Sequence, residues 1–233
     1  RQLAPEALSP LLGLASLYTT QRRYADAAAL YRQAMTRHAG DATLHIQRGA
    51  FHAVQEQPEA ALAAYQEAVK VAPEDVRGPL ALGDYAVLRQ QWGQAREAYQ
   101  EAVRRAPTAL NPHEKLADLA LRQQQWDAAA EQAKALIGLP DGRMPGRYIE
   151  GRVALAQGKA AEAVAALQEV VKELPGLAGA HYFLGVAQAV SHNAPAAEQA
   201  LIAAQKLIPN AIDPPLALAK VHLQTGDFAQ ALP

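Results

Sequence analysis

Seven histidines, three serines and one Gly-Lys dipeptide are the residues with the clearest capacity for catalysis or metal binding. His113 and the glutamate after it begin like a zinc-protease motif, but Ala117 stands where the second ligand histidine is required. A phosphate loop is incomplete at Gly158, because Val153 and Ala160 replace its leading glycine and its magnesium-binding hydroxyl. None of the serines lies in a nucleophile elbow. The sequence therefore predicts a protein that is not an enzyme and holds no cofactor.

The composition of the 233-residue chain excludes further classes of site. There is no cysteine, so disulfides, thiol nucleophiles and iron–sulfur clusters cannot form. A formal net charge of −1 gives no field that would attract nucleic acid. The longest stretch without a charged side chain, residues 174–197, is interrupted by prolines and polar residues, so we expect no insertion into a membrane. The chain does not begin with Met, and its location is left open between bacterial cytoplasm and periplasm.

A 34-residue periodicity runs through the whole chain. One column holds only alanine: Ala27, Ala61, Ala95, Ala129, Ala163, Ala197 and Ala231. A second, twelve residues earlier, holds only Ala or Gly: Ala15, Gly49, Gly83, Ala117, Gly151, Gly185 and Ala219. A third, twelve residues after the first, is mostly proline: Ala39, Pro73, Pro107, Asp141, Pro175 and Pro209. This spacing predicts pairs of antiparallel helices that cross closely at the small residues, with the second helix ending near the proline.

The pattern resembles the tetratricopeptide repeat family. The matching residues are Leu82, Gly83, Ala95, Tyr99, Ala102 and Pro107 in one repeat, and Leu184, Gly185, Ala197, Ala204 and Pro209 in another. The resemblance implies an all-α fold, a right-handed α-solenoid of antiparallel helix pairs that forms a single array over residues 1–233. Repeats one to six would span residues 8–41, 42–75, 76–109, 110–143, 144–177 and 178–211, followed by a partial unit at 212–233 and preceded by the tail of another unit at 1–7.

The ends and one junction depart from an ideal array. Pro5 and Pro233 fall inside units, and neither end has a polar cap. The sequence therefore predicts a fragment of a longer multi-repeat protein, whose uncapped ends could self-associate. The junction of repeats four and five is rich in glycine and proline between Gly138 and Gly146, which predicts a local bend.

The periodicity also decides how two other residue sets are interpreted. His45, His113 and His181 share one repeat position, and equivalent positions two repeats apart are separated by about 20 Å, too far to ligate one ion. We therefore predict structural or surface histidines and no metal site. The pairs Arg22-Arg23 and Arg104-Arg105 are interpreted as solvated helix ends.

The family resemblance implies a concave groove whose wall is made by the first helix of each repeat. At about 100° per residue, positions 4, 7, 8 and 11 of a repeat face the core, and positions 2, 5, 9 and 12 face the groove. The groove residues selected by position are Arg77, Asp84, Glu114, Asp118, Tyr148, Arg152 and Tyr182, and Phe183 is added because it lies beside Tyr182. We expect a peptide or protein segment to place apolar side chains against Tyr148 and Tyr182 and a basic residue near Asp84 and Asp118. Two structural alternatives stay open: Asp118 pairs with Arg152, and Tyr148 packs between repeats.

These expectations favour a scaffold or adaptor for protein–protein interaction, with no nucleic-acid partner. Two alternatives stay open: a regulatory arm of a larger enzyme such as a glycosyltransferase, and a bacterial cell-envelope scaffold for polysaccharide export or secretion. A chaperone-tail adaptor is disfavoured, because the carboxylate clamp of such family members needs Lys at position 5 and Asn at position 9, and neither residue occurs there.

Overall fold

The computed structural model describes residues 7–227, which form thirteen α-helices and no β-strand. The helices are α1 (Leu8–Thr20), α2 (Tyr24–His38), α3 (Ala42–Val54), α4 (Pro58–Val71), α5 (Arg77–Leu88), α6 (Trp92–Arg105), α7 (Leu110–Arg122), α8 (Trp126–Ile137), α9 (Arg143–Ala156), α10 (Ala160–Glu173), α11 (Ala178–Val190), α12 (Ala194–Leu207) and α13 (Asp213–Thr225). Successive helices pair as hairpins, which confirms the predicted all-α solenoid. Pro5, Ala231 and Pro233 of the sequence pattern lie outside the described residues.

The chain divides into two compact units, residues 1–107 and 108–233. In the first unit, the hairpins α1/α2, α3/α4 and α5/α6 are stacked so that α3 contacts both α1 and α5. In the second, the hairpins α7/α8, α9/α10 and α11/α12 stack in the same way, and α13 packs on α11 and α12. Within each unit, the first helices of successive repeats therefore lie side by side. We call this row of helices the wall.

Small residues are fully buried where the two helices of a hairpin cross. The described alanines of the first column are all 0% exposed: Ala27, Ala61, Ala95, Ala129, Ala163 and Ala197. A Cβ atom on Gly49 would lie 2.8 Å from the ring of Tyr65, and one on Gly151 would lie 2.6 Å from Cγ of Leu167. Glycine thus brings the second helix closer than any larger residue would allow.

The turn that follows the first helix of each repeat has the same backbone geometry. One residue in each turn has positive φ: Arg22, Glu56, Gln90, Gln124, Gly158, His192 and Gly226. The next N–H donates back across the turn, as from Gln91 to the carbonyl of Ala86 at 2.8 Å. This is the Schellman arrangement, in which glycine is favoured. Because most of these positions hold other residues, the sequence gives little sign of the geometry.

The buried face of the first helix is wider than the predicted one. Position 7, predicted to lie in the core, is buried at Leu184, whereas Leu14 in the first repeat is 38% exposed. Positions 3 and 10 are buried as well, as at Leu44 and Leu119. Position 3 faces the second helix of the preceding repeat: a Cβ on Gly78 would lie 3.0 Å from the backbone of Ala68 in α4. The first helix is thus packed on two neighbours, and its buried face is wider than one hairpin requires.

Arg105 is not the solvated helix end that the sequence predicts. Its side chain is 9% exposed. Its Nη1 donates to the carbonyl oxygens of Ala72 and Asp75 at 3.0 Å, and its Nη2 donates to that of Val69 at 3.2 Å. The guanidinium therefore caps the carbonyl end of α4 from two helices away. Arg104 does lie in solvent, with its side chain 65% exposed.

Two glycines bring α9 close to α8 at the junction of repeats four and five. A Cβ on Gly146 would lie 2.5 Å from Cγ1 of Ile137 and 2.7 Å from the carbonyl oxygen of Ala133. Gly142 is likewise pressed against the backbone of Leu136. The bend expected at this junction stays a prediction. No helix in residues 7–227 has the length and hydropathy needed to cross a bilayer.

Candidate functional site

A cavity of about 360 Å³ in the second unit brings four of the eight selected groove residues together. Its lining consists of Glu114, Asp118, Pro145, Tyr148, Ile149, Arg152, Leu174 and Leu177. We call it the wall cavity. Most of its surface is apolar, and its charged groups are two carboxylates and one guanidinium.

Two first helices supply the charged and aromatic lining. Glu114 and Asp118 are one turn apart on α7, and Tyr148 and Arg152 are one turn apart on α9, so each pair shares a helix face. Because α7 contacts α9, these two faces meet at the cavity. The chain that follows α10 closes one side with Leu174.

Arg152 is held by three neighbours. Its Nη1 donates to Oδ1 of Asp118 at 2.6 Å. Its guanidinium carbon lies 5.2 Å from the ring centroids of both Tyr148 and Phe183, within the range of cation–π attraction. The structure thus realises the first of the two alternatives left open, in which Asp118 and Arg152 pair. The carboxylate of Asp118 therefore already has a cationic partner within the protein.

Glu114 carries the charge that this arrangement leaves unbalanced. Its side chain is half-buried, and no hydrogen bond to its carboxylate occurs within residues 7–227. Burial raises the pKa of Glu114, and the negative charge of Asp118 raises it further, while Lys115 lowers it. A carboxylate in this setting would be stabilised by a cation brought in by a ligand.

Tyr148 and Tyr182, expected to form one aromatic stretch, have different surroundings. Tyr148 packs between α9 and α11, where its hydroxyl oxygen would be 2.6 Å from a Cβ on Gly179. The second alternative left open, packing between repeats, is therefore also realised. Tyr182 is absent from the lining of the wall cavity and packs instead in a cluster with Leu201. Its ring centroid lies 5.1 Å from that of Phe183, and burial raises the pKa of both tyrosines.

Arg77 and Asp84 belong to the first unit, where neighbours hold both side chains. Arg77 is bonded to the carboxylate of Asp75, with Nη2 and Oδ2 2.6 Å apart. The hydroxyl of Tyr99 donates to Oδ1 of Asp84 at 2.6 Å. The basic residue of a ligand, expected near Asp84 and Asp118, would therefore meet two carboxylates that already have partners.

Leu174 and Leu177 are the part of the cavity that position-based selection missed, because it considered first helices alone. Both follow α10, and Leu174 is 41% exposed. The sequence signal that could have identified this part of the cavity is the apolar Leu174, which lies directly before Pro175 and beyond the end of a helix.

The three equivalent histidines contact backbone or amide oxygens. His45 Nε2 lies 2.7 Å from the carbonyl oxygen of Ala39, at the end of the preceding repeat, and His181 makes the equivalent contact at 2.9 Å. His113 Nδ1 lies 2.9 Å from Oε1 of Gln132. Within the described range, no three potential metal ligands are grouped together. These contacts join helices, which is the structural role predicted for the histidines.

Comparison with known proteins identifies the repeat. The tetratricopeptide repeat family matches residues 11–43, 52–109, 114–176 and 148–212. No curated protein matches the sequence.

Solved structures share the fold at low identity. YrrB, described as a TPR protein with an unusual peptide-binding site, is 20% identical with a TM-score of 0.56, over 84% of this chain and 97% of that one. A tetratricopeptide repeat protein from Parabacteroides merdae is 12% identical with a TM-score of 0.74, over 96% and 88% of the two chains. PilW, described as a widely conserved type IV pilus biogenesis factor, is 16% identical with a TM-score of 0.65, over 91% and 97%. At these identities the likeness is one of fold.

Proposed function

Because the chain belongs to the tetratricopeptide repeat family, whose arrays generally serve as protein-interaction scaffolds, we propose that it is a non-catalytic scaffold or adaptor that binds a peptide segment at the wall cavity. The segment carries a basic side chain next to an apolar one. One observation carries this proposal: the half-buried Glu114 carboxylate, without a hydrogen bond inside the described chain, lies in a cavity whose lining is otherwise mostly apolar. YrrB, described with a peptide-binding site, supports the proposal through its fold alone.

The charges favour Glu114 over Asp118 as the contact for the ligand's basic residue. Asp118 already accepts from Arg152, whereas Glu114 has a raised pKa that an incoming cation would lower again. A hydrogen bond to a charged group contributes about 1.5–3 kcal/mol when it is shielded from water. An acidic ligand would instead add to the excess negative charge.

The apolar lining selects the neighbouring side chain of the ligand. The space beside the Glu114 carboxylate is lined by Pro145, Leu174 and Leu177. Each methylene group of the ligand that is buried there contributes about 0.8 kcal/mol to binding. A leucine-sized side chain next to the basic residue would use both parts of the cavity. No feature of residues 7–227 favours the regulatory arm of an enzyme or the envelope scaffold over this proposal.

The test uses two fluorescein-labelled, capped peptides, one with Lys-Leu-Leu and one with Glu-Leu-Leu between flanking glycines, titrated with the full chain and followed by fluorescence anisotropy. We expect the lysine peptide to bind more tightly than the glutamate peptide. Glu114→Gln should weaken the lysine peptide about tenfold. The matched control is Glu131→Gln, an exposed residue of α8 outside the wall cavity, which should leave binding unchanged. Equal binding of the two peptides, or no effect of Glu114→Gln, would contradict the proposal.

A further inference from the structure

A second cavity, of about 710 Å³, adjoins the wall cavity. Its lining consists of Asp141, Arg143, Met144, Pro145, Glu169, Lys172, Glu173 and Leu174. We call it the edge cavity, because it lies between the junction that precedes α9 and the end of α10. Pro145 and Leu174 line both cavities, so a chain bound in one reaches the other by passing over these two side chains.

Part of the charge in the edge cavity is already paired. Arg143 and Arg147 both donate to the carboxylate of Glu169. Arg147 also donates to Glu150 at 2.7 Å. These two guanidiniums are therefore both paired with carboxylates of their own unit.

The remaining charges of the edge cavity are negative in sum. Asp141 and Glu173 are exposed carboxylates, and Lys172 is the exposed cation. Within residues 7–227, no hydrogen bond or ion pair engages the side chains of these three residues. Two unpaired carboxylates against one ammonium attract a second cation from a ligand.

We propose that the bound segment continues from Glu114 over Pro145 and Leu174 and places a second basic side chain at Asp141 and Glu173. The partner is therefore an extended peptide segment with two Lys or Arg residues separated by apolar residues. The bound segment therefore passes from the wall cavity to the edge cavity at repeat five. This inference rests on the proposed function, since Glu114 receives the first basic residue.

The test uses two sets of capped peptides. In the first set, a second lysine follows Lys-Leu-Leu after zero to three glycines. In the matched set, glutamine replaces that second lysine. Each is titrated into the full chain at low ionic strength, where exposed ion pairs are least screened. At one spacing, we expect the dibasic peptide to bind about three- to fivefold more tightly, as exposed ion pairs allow.

Two substitutions made together should remove that gain. Asp141→Asn keeps a residue that tolerates the positive φ of 58° at this position. Glu173→Gln removes an acidic side chain from the carboxyl end of α10, where no favourable interaction with the helix dipole is lost. Glu131→Gln should keep the gain, and Glu114→Gln should weaken both peptides by the same factor.

The outcomes separate this inference from the proposed function. Equal affinity of the dibasic and glutamine peptides at every spacing contradicts the second contact while the first stands. So does a gain that persists in the double variant. Failure of all the peptides to bind contradicts the proposed function and this inference with it.

Discussion

The ring of Tyr99 occupies the space that a Cβ atom on Gly83 would need. The Tyr99 hydroxyl also donates to Asp84 at 2.6 Å, so the ring is held at both ends. A small residue and a large one, sixteen positions apart, thus determine how closely the two helices of repeat three approach.

Gly83→Ala should therefore destabilise the fold by about 1–3 kcal/mol, the usual cost of overpacking. Gly93→Ala is the matched control, because Gly93 lies in α6 with open space around its Cα. That change should stabilise by about 0.5–1 kcal/mol, since alanine is the better helix former. Urea unfolding followed by circular dichroism measures both, and effects of the same sign would contradict the explanation.

Gln90→Gly should stabilise the protein by about 0.5–1 kcal/mol. Gln90 has a φ of 57°, which a side chain disfavours. The gain is limited because glycine also increases the entropy of the unfolded chain. Gly158→Ala at the equivalent turn should have the opposite effect, since its φ is 76°. Thermal unfolding of the two variants measures the pair, and a destabilising Gln90→Gly would refute the assignment.

Arg105→Ala should destabilise the fold by about 1–3 kcal/mol, because three part-buried carbonyl oxygens, at the end of α4 and in the loop after it, lose their donor. Arg104→Ala should change stability by less than about 0.5 kcal/mol, since its side chain lies in solvent. Urea unfolding compares the two variants. Similar losses would show that Arg105 acts only as a surface charge.

Alkaline pH should weaken the fold through Tyr31. Burial raises the pKa of Tyr31 to about 12. An unfolded tyrosine ionises near pH 10, so the stability that Tyr31 contributes is complete below about pH 10 and is lost as the pH rises towards 12. The free energy of unfolding of the native chain should fall by about 2–3 kcal/mol more than that of Tyr31→Phe over this range. Parallel pH profiles of the two proteins would contradict the assignment.

Peptide binding should weaken in mild acid. The pKa of Glu114 is raised, and only its ionised form attracts a basic residue. The affinity of the lysine peptide should therefore fall as the pH drops through that raised pKa, before exposed carboxyls are protonated. Anisotropy titrations between about pH 7 and pH 4 measure the loss, with Glu114→Gln as the pH-insensitive reference. A native profile as flat as that of the variant would contradict this role of Glu114.

The fold was accessible from the sequence because each helix crossing requires a particular residue size. Ala95 leaves no room for a larger side chain, so its column repeats without exception. The positive-φ turn at Gln90 was not accessible, because the backbone imposes that geometry on whatever residue is present. The capping of α4 by Arg105 was missed for another reason: it depends on a contact between residues more than thirty positions apart.

The candidate site was accessible only where it follows helical spacing. Glu114, Asp118, Tyr148 and Arg152 were selected by position and do line one cavity. Leu174 was missed because the path of the chain after α10 has no helical period. Tyr182 was selected at a position equivalent to Tyr148, but its different neighbours in α12 and α13 draw it into another cluster.

The shared conformation of the hairpin turns has a consequence for how such a chain can evolve. Different turns hold arginine, glutamine, glutamate, histidine or glycine at the position of positive φ, so the shape of the turn does not depend on one residue type. Duplication or loss of a whole 34-residue segment would therefore leave neighbouring helices joined by a turn of the same backbone geometry. The length of the array can vary between descendants while each retained hairpin keeps its own recognition chemistry.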